Sequence, residues 1–401
     1  MLVNRAYKAE LDLNNVQRTT CLRHAGTARF TYNWGLQRKK ESYQATGRSP
    51  TAIDLHRELN RLKHTDYPWM YEVSKCAPQE SLRDLDRAYR NFFEGRAKYP
   101  RFKSRKRGIG SFRLTGSIRV FENAIQIPRI GRVRLKERGY LPTTGVHIHS
   151  ATVSEHAGRW FVSLQVREEI EVPENVGSVA GVDVGVSHLA AVSDGAIIEN
   201  PRALQRYDRK LGRLQRSASR KRLGSRNRAK VNRMVARCHF RITNIRKDAL
   251  HKTTTMLAKT KSVIGVEKLA VKNMLTNHRI AKSLTDASLS EFKRQLKYKA
   301  IWYGSSIVEA NRFFPSTKRC SACGAVKLEM PLSERVFRCE ECGFEVDRDL
   351  NAAKNLEIVA ASWVETLNAC GEEISTQPSM VEQTVLCEAG TEHHLGDVLN
   401  G

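Results

Sequence analysis

Two pairs of cysteines near the end of the sequence constrain its folding more than any other feature. Cys320 and Cys323 form one Cys-x-x-Cys knuckle, and Cys339 and Cys342 form a second one after fifteen intervening residues. Two matched knuckles at this spacing are typical of a zinc ribbon, in which four thiolates bind one Zn²⁺ tetrahedrally. A redox-active pair is the alternative, and the second knuckle argues against it. We therefore predict a closed, structural zinc ribbon over residues 316–345.

The apolar pattern around this ribbon predicts an α/β domain. Short apolar runs at 179–185, 188–192 and 196–198 indicate three consecutive strands. A long basic segment follows, and further strands are predicted at 262–267 and 306–310, with helices between and after them. This order is that of an RNase H-like fold, so the predicted fold class is α/β multidomain, with the zinc ribbon inserted before the last helix.

Two of the predicted strands carry a carboxylate among apolar residues. Asp183 lies in the first strand and Glu267 ends the fourth, and a charge in such surroundings is costly unless it is paired or binds a cation. Asp349 opens the last helix and can complete the group. Asp347 is the alternative, but Asp349 leads directly into the Asn-Ala-Ala helix start and is favoured.

Three neighbouring carboxylates repel one another, and Mg²⁺ or Mn²⁺ relieves that repulsion because hard cations prefer oxygen ligands. Two such ions about 4 Å apart can activate a water and stabilise the attacking and leaving oxygens of a phosphodiester. The three acids therefore predict a metal-dependent nuclease.

The chain carries a large positive charge, and much of it is local. The 68 Lys and Arg exceed the 42 Asp and Glu by 26, and residues 201–250 alone hold 17 cations against two acids. A charge of this size calls for a polyanionic partner, and no apolar run reaches the roughly 20 residues of a membrane span. We predict a basic helical hairpin or bent helix here, with Arg220, Lys221 and Arg222 as candidate contacts to nucleic-acid phosphates.

A second basic cluster, at residues 95–108, mixes aromatic and cationic side chains. Tyr99 and Phe102 alternate with Arg101 and Lys103. Aromatic rings can stack on bases while the cations neutralise phosphates. Arg101 and Lys103 are therefore further candidates for nucleic-acid binding, with a solvated linker as the alternative.

The remaining regions differ in pattern. Residues 1–95 show helical apolar spacing, and short alternating runs over 111–170 predict a small β-barrel or curled sheet. Residues 371–401 contain six acids and no Lys or Arg, which predicts a disordered acidic tail.

Seven motifs share one resemblance. They are GVDVG at 181–185, GVEKL at 265–269, QLKYKA at 295–300, FPSTKRCSACG at 314–324, DRDLNAA at 347–353, YPRFK at 99–103 and LRDLDRAYRNFF at 82–93. Together they resemble the TnpB family of insertion-sequence-encoded, RNA-guided nucleases, which are related to type V CRISPR effectors. The likeness covers nearly the whole chain apart from the acidic tail.

The resemblance implies a domain plan and a set of site residues. The plan is a β-barrel wedge domain at 1–11 and 101–175, a helical recognition domain at 12–100, a RuvC nuclease domain at 176–315 and 346–370, the zinc ribbon at 316–345, and the tail at 371–401. Asp183, Glu267 and Asp349 match the catalytic acids of the family, which bind Mg²⁺ or Mn²⁺. Lys75 and Gln79 match positions that help to read a short DNA motif beside the target.

The implied activity is cleavage of double-stranded target DNA that pairs with a guide RNA transcribed from the element's end. The expected particle is a monomer in a ribonucleoprotein, in the prokaryotic cytoplasm near the nucleoid and without a membrane partner. Three alternatives stay open: an RNA-guided repressor that does not cut, a transposase that performs strand transfer, and a nuclease-free RNA-binding ribbon protein. The intact set of acids argues against the repressor, and a transposase would have to recognise the ends of its own element.

Overall fold

The computed structural model of the chain describes residues 1–331 and 333–369, and the predicted acidic tail lies outside them. Within these ranges the chain forms two compact units, residues 1–169 and residues 170–369. The finer domain boundaries implied by the resemblance stay a prediction. In the described part of the chain, every helix is too short or too polar to cross a membrane.

The first unit is built on an antiparallel sheet of seven strands. The strands are β1 (Leu2–Asp12), β2 (Ser111–Leu114), β3 (Arg119–Phe121), β4 (Ala124–Ile127), β5 (Gly131–Leu135), β6 (Val146–His156) and β7 (Arg159–Glu169), in the order β2-β6-β7-β1-β5-β4-β3. The edge strands β2 and β3 do not pair with each other within the described residues. The sheet is therefore open, and the predicted closed β-barrel is not confirmed.

Three helices complete the first unit, as the helical spacing predicts. They are α1 (Asn15–Thr46), α2 (Ala52–Thr65) and α3 (Cys76–Phe93). The helix α1 begins after Asn14 because Asn14 and Gln17 form a reciprocal capping box. Leucines of all three helices form a closed apolar core, in which a Cβ added to Gly35 would lie only 2.7 Å from Leu82 Cδ2. The absent side chain therefore allows α1 to pack closely on α3.

The second unit contains a mixed sheet of five strands. They are β8 (Ser178–Asp183), β9 (His188–Val192), β10 (Ile197–Glu199), β11 (Lys261–Val266) and β12 (Ser306–Glu309), in the order β10-β9-β8-β11-β12. The strands β8, β11 and β12 are parallel to one another, while β9 and β10 run antiparallel as a meander. Three leading strands followed by helical crossovers are the predicted order, and the α/β prediction is confirmed.

Six helices accompany this sheet. They are α4 (Ala203–Ser219), α5 (Arg226–Thr260), α6 (Val271–Met274), α7 (His278–Ala287), α8 (Leu289–Tyr303) and α9 (Arg348–Ala369). The helices α4 and α5 pack on each other as a hairpin, so this alternative of the sequence prediction is confirmed. The buried carboxylate of Asp286 accepts a hydrogen bond from the N–H of Leu204 at 2.9 Å and pairs with Arg246 at 3.0 Å. It thereby joins α4, α5 and α7.

The cysteine-rich segment lies between β12 and α9. It contains a two-stranded antiparallel sheet of β13 (Val336–Arg338) and β14 (Glu345–Asp347). Phe337 is fully buried next to Cys320 and Cys339. The small buried core of this segment therefore consists of one aromatic ring and two of the four cysteines, and Phe344 and Val346 pack against it.

Candidate active site and metal centre

Strand pairing places two of the predicted acids at one edge of the second sheet. In the parallel pair formed by β8 and β11, Gly181 lies opposite Gly265 and Val182 lies opposite Val266. Asp183 is the next residue after Val182, and Glu267 is the next after Val266. Because both strands end at the same edge, their terminal carboxylates are brought together, as the strand pattern predicts.

The last helix places the third acid, and it does so by lying directly on two glycines. A Cβ added to Gly181 would lie 1.9 Å from the carbonyl oxygen of Ala353, and one added to Gly265 would lie 2.2 Å from that of Leu356. Real side chains cannot approach a backbone this closely. The two glycines therefore form a notch in the sheet that accepts the α9 backbone, and Asp349 lies in the first turn of that helix.

The three carboxylates interact electrostatically. The pKa of Asp183 is raised from its ordinary value near 3.8 to about 8, first by burial and then by the negative charges of Glu267 and Asp349. The guanidinium of Arg348 and the N–H of Val184 act in the opposite direction. Asp183 keeps some contact with solvent, but dense protein around its carboxylate still disfavours the charged form.

Each acid of the helix start has a different partner. The Oδ1 atom of Asp347 accepts hydrogen bonds from the N–H groups of Asp349 at 2.9 Å and Leu350 at 3.1 Å, so Asp347 caps α9. Asp349 instead pairs with Arg348 at 3.2 Å and is only 16% exposed. Of these two acids, only Asp349 raises the pKa of Asp183. These contacts favour Asp349 over Asp347 as the third site residue.

The donor set fits a hard divalent cation. Three carboxylates supply oxygen ligands. Burial and then the negative charges of Glu267 and Asp349 raise the pKa of Asp183, and bound Mg²⁺ or Mn²⁺ would offset both effects. The acids are less tightly gathered than the cysteines: within the described ranges, only the four thiolates have all their ligand atoms within 4.8 Å of one another.

The four cysteines form a compact group of the predicted kind. Cys320 and Cys342 sulfurs are 3.8 Å apart, and those of Cys323 and Cys339 are 3.5 Å apart. Tetrahedral Zn²⁺ with bonds of about 2.3 Å separates its sulfur ligands by about 3.8 Å, so the group fits zinc.

The two knuckles also share one backbone pattern. The N–H of Cys320 donates to Ala325 O at 2.7 Å, and that of Cys339 donates to Phe344 O at 2.8 Å. Equivalent turns at both knuckles support one closed site, not two unrelated pairs.

The candidate nucleic-acid residues occupy several places. In the first unit, Lys75 and Gln79 line an open groove of about 1160 Å³. Arg101 is exposed, whereas Lys103 is held in place: its backbone exchanges two hydrogen bonds with the Asn33 side chain, and its ammonium group lies 4.0 Å from the Tyr32 ring centroid. Lys103 therefore anchors the segment to α1.

In the second unit, Arg220, Lys221 and Arg222 lie in the turn of the α4–α5 hairpin. Arg220 and Arg222 are exposed, and Lys221 is half-buried. The hairpin thus presents cations at its tip, as a phosphate contact requires.

Several contributing residues were missed at the level of sequence. Ser316 donates a hydrogen bond to Glu267, and the buried amides of Asn351 and Asn355 hold the segment around Ser316. The glycine notch was also missed. Its signal was present, since each acid-bearing strand has a glycine two residues before its carboxylate.

Comparison with family models finds matches in three parts of the chain. Residues 151–278 match OrfB_IS605, described as "Probable transposase", and residues 290–356 match the Cas12f1-like TNB domain. Residues 1–48 match a helix-turn-helix domain, although the structure forms them as the strand β1 and the single helix α1.

Comparison with individual proteins finds relatives along nearly the whole chain. A Streptomyces pristinaespiralis protein named "Putative RNA-guided DNA endonuclease" is 36% identical over 378 residues, which cover 94% of this chain and 93% of the relative. The similarly named InsQ of Escherichia coli (strain K12) is 34% identical over 405 residues, 96% of this chain and 98% of its own. In the solved Cas12f1-sgRNA-target DNA complex, one chain matches with a TM-score of 0.50 and 14% identity, over 84% of this chain and 81% of its own, which shows a shared fold.

Proposed function

The chain belongs to the OrfB/TnpB family, and from that membership we propose that it is an RNA-guided DNA endonuclease with a RuvC-like, divalent-metal-dependent site. The observation that carries the proposal is the placement of Asp183 and Glu267 at adjacent strand ends and of Asp349 in the first turn of α9, where the charges of Glu267 and Asp349 act on Asp183. A protein that only bound nucleic acid would gain nothing from this electrostatic cost.

The proposed site residues are these three acids. A divalent cation held by them would supply Lewis acidity and an activated water for hydrolysis of a phosphodiester. Asp183 and Glu267 are held by adjacent strand ends, and Asp349 by the helix that rests on the glycine notch. Arg348 places a positive charge beside Asp349 and lowers the repulsion among the acids. The expected products are 5′-phosphate and 3′-hydroxyl ends.

The proposed partners are a guide RNA and double-stranded target DNA. The relatives' names specify RNA guidance and DNA cleavage, and the aligned solved complex contains sgRNA and target DNA. The exposed cations Arg220 and Arg222 fit contacts to the phosphates of these partners. Lys75 and Gln79, in the groove of the first unit, are the proposed readers of the short motif beside the target. The zinc ribbon is proposed to be structural, with Zn²⁺ on Cys320, Cys323, Cys339 and Cys342.

A transposase that performs strand transfer is the second candidate, because the matched family model carries the description "Probable transposase". Both activities would use the same acids and metal. They differ in substrate, since a transposase would join the ends of its own element to a new site, whereas the proposed nuclease cuts wherever the guide pairs.

The test uses the protein purified together with its associated RNA. The complex is incubated with Mg²⁺ and either a pool of DNA duplexes that match the RNA and carry randomised flanking sequence, so that the short adjacent motif is represented, or a scrambled duplex with the same flanks. Cleavage of the matching duplex alone, and its loss in Asp183→Ala, would support the proposal. If the wild-type complex leaves every matching duplex intact under these conditions, the nuclease assignment is wrong. If Asp183→Ala cuts as fast as the wild type, Asp183 does not belong to the site. Joined products with element ends would favour the transposase.

A further inference from the structure

We infer that Ser316 is a positioning residue for Glu267 and ties the zinc ribbon to the metal site. The inference rests on the proposed nuclease function. The hydroxyl group of Ser316 donates a hydrogen bond to Oε1 of Glu267, and Ser316 is 2% exposed. A carboxylate whose one oxygen is engaged by a buried donor cannot rotate freely. Ser316 therefore restricts the orientation in which Glu267 meets a cation.

Ser316 is itself held by the helix that carries Asp349. The side-chain amide of Asn355, fully buried on α9, donates to the carbonyl oxygens of Ser316 at 2.8 Å and Arg319 at 2.7 Å. One turn earlier on the same face, Asn351 donates to Arg319 O at 2.7 Å and accepts from the N–H of Ser321 at 3.0 Å. The two amides thus clamp residues 316–321 against α9.

The clamped segment contains the first zinc ligand. Cys320 lies between Arg319 and Ser321, both of which the amides hold, and it is fully buried. Asp349 lies two residues before Asn351 on the same helix. The helix α9 therefore contacts the ribbon through its two amides and supplies Asp349 directly. Through Ser316 it also restricts the orientation of Glu267.

The expected size of the effect follows from the chemistry of metal ligands. Hydrogen-bond partners of ligating carboxylates and imidazoles fix the orientation of the ligand, and their removal typically weakens metal binding or activity by about 10- to 100-fold. Ser316→Ala removes one hydroxyl and adds no bulk, so the fold and the zinc site should persist. The substitution should instead lower the affinity of the acids for Mg²⁺ or Mn²⁺.

The experiment titrates Mn²⁺ into the full-length, RNA-free, zinc-loaded protein by calorimetry, with Asp183→Ala as the reference that lacks the site. Ser316→Ala should bind Mn²⁺ about 10-fold more weakly than the wild type while it keeps one zinc per chain. In the guided cleavage assay, raising the Mg²⁺ concentration should restore its rate. Ser321→Ala is the matched control, because its buried hydroxyl has no hydrogen-bond partner within the described residues, and it should bind Mn²⁺ as the wild type does.

Wild-type Mn²⁺ affinity in zinc-loaded Ser316→Ala would overturn the inference. Ser316→Thr retains a hydroxyl donor and serves if the alanine variant does not fold: it should stay within about threefold of the wild type, and a 10-fold loss in a folded threonine variant would also overturn it. Equal Mn²⁺ binding by the wild type and Asp183→Ala would instead refute the proposed metal site on which the inference rests.

Discussion

The glycine notch under α9 makes a prediction with a definite sign. In Gly181→Ala, the new Cβ would lie 1.9 Å from the carbonyl oxygen of Ala353 and 2.4 Å from the backbone nitrogen of Glu357. Ordinary contacts at a Cβ begin near 3.4 Å, so α9 must move away by about 1.5 Å. Both neighbours are backbone atoms, so no side-chain rotation relieves the clash.

This displacement should lower both the stability of α9 and the rate of DNA cleavage. Overpacking of a well-packed core costs about 3 kcal/mol at its usual upper end, which corresponds to about 100-fold faster amide hydrogen exchange in α9 if exchange proceeds through local opening. The displaced helix carries Asp349, and a 1 Å misplacement of a catalytic group can reduce a rate by about 100-fold. Guided DNA cleavage should fall accordingly.

The assay compares Gly181→Ala with Gly212→Ala in α4. A Cβ at Gly212 would meet only a flexible arginine side chain, that of Arg216, at 3.4 Å. Alanine should therefore stabilise α4 by about 0.5–1 kcal/mol, the usual gain over glycine inside a helix. Exchange in α9 is followed by mass spectrometry, and cleavage under single-turnover conditions. If Gly181→Ala shows wild-type protection of α9 and wild-type cleavage, the close approach of helix and sheet does not position the acid.

Three further predictions test the acids, the zinc and the basic hairpin. In protein free of Mg²⁺ and Mn²⁺, the raised pKa of Asp183 means that the folded state retains a proton that the unfolded state releases between about pH 4 and pH 8. Stability should therefore fall as pH rises through this window, and thermal unfolding of Asp183→Asn should show a shallower decline; equal slopes would contradict the assignment. Cys320→Ser should lose zinc, measured by elemental analysis, and retention of one zinc per chain would contradict the four-thiolate site. Replacing Arg220, Lys221 and Arg222 by glutamine should weaken RNA binding and reduce its salt dependence, measured by filter binding at several salt concentrations, and an unchanged slope would remove them from the interface.

The individual elements were predictable because each follows from a local requirement. The spacing of Cys320 to Cys342 predicts a ribbon, since four thiolates at that spacing can surround one cation, and the structure brings the four sulfur atoms together. Asp183 and Glu267 stand out because a carboxylate among apolar strand residues needs a cation or a partner. The scarcity of acids in residues 201–250 indicated a basic helical segment, although only the packing of α4 on α5 distinguished a hairpin from a bent helix.

Whether the first sheet closes into a barrel or stays open was not predictable in the same way. Alternation of apolar and polar residues predicts strands and their buried faces, but a barrel also needs its edge strands to pair. The strands β2 and β3 remain at opposite edges within the described residues. Pairing between distant strands depends on register and strand length across the whole sheet, and the local pattern carries little of that information.

By itself, the sequence identified the chemical groups of this protein: the four clustered cysteines, the three candidate acids and the segments of concentrated positive charge. Only the tertiary structure decided how these groups are held. It aligned Gly181 with Gly265 so that a helix backbone lies across both glycines, and it brought Ser316 into hydrogen-bond contact with Glu267. It also distinguished Asp347, which caps α9, from Asp349, which does not. The physical reason is that the residues next to a side chain in the sequence show whether it requires a metal ion or a hydrogen-bond partner. The residue that meets this requirement usually comes from a distant segment of the chain, which only the folded structure brings near.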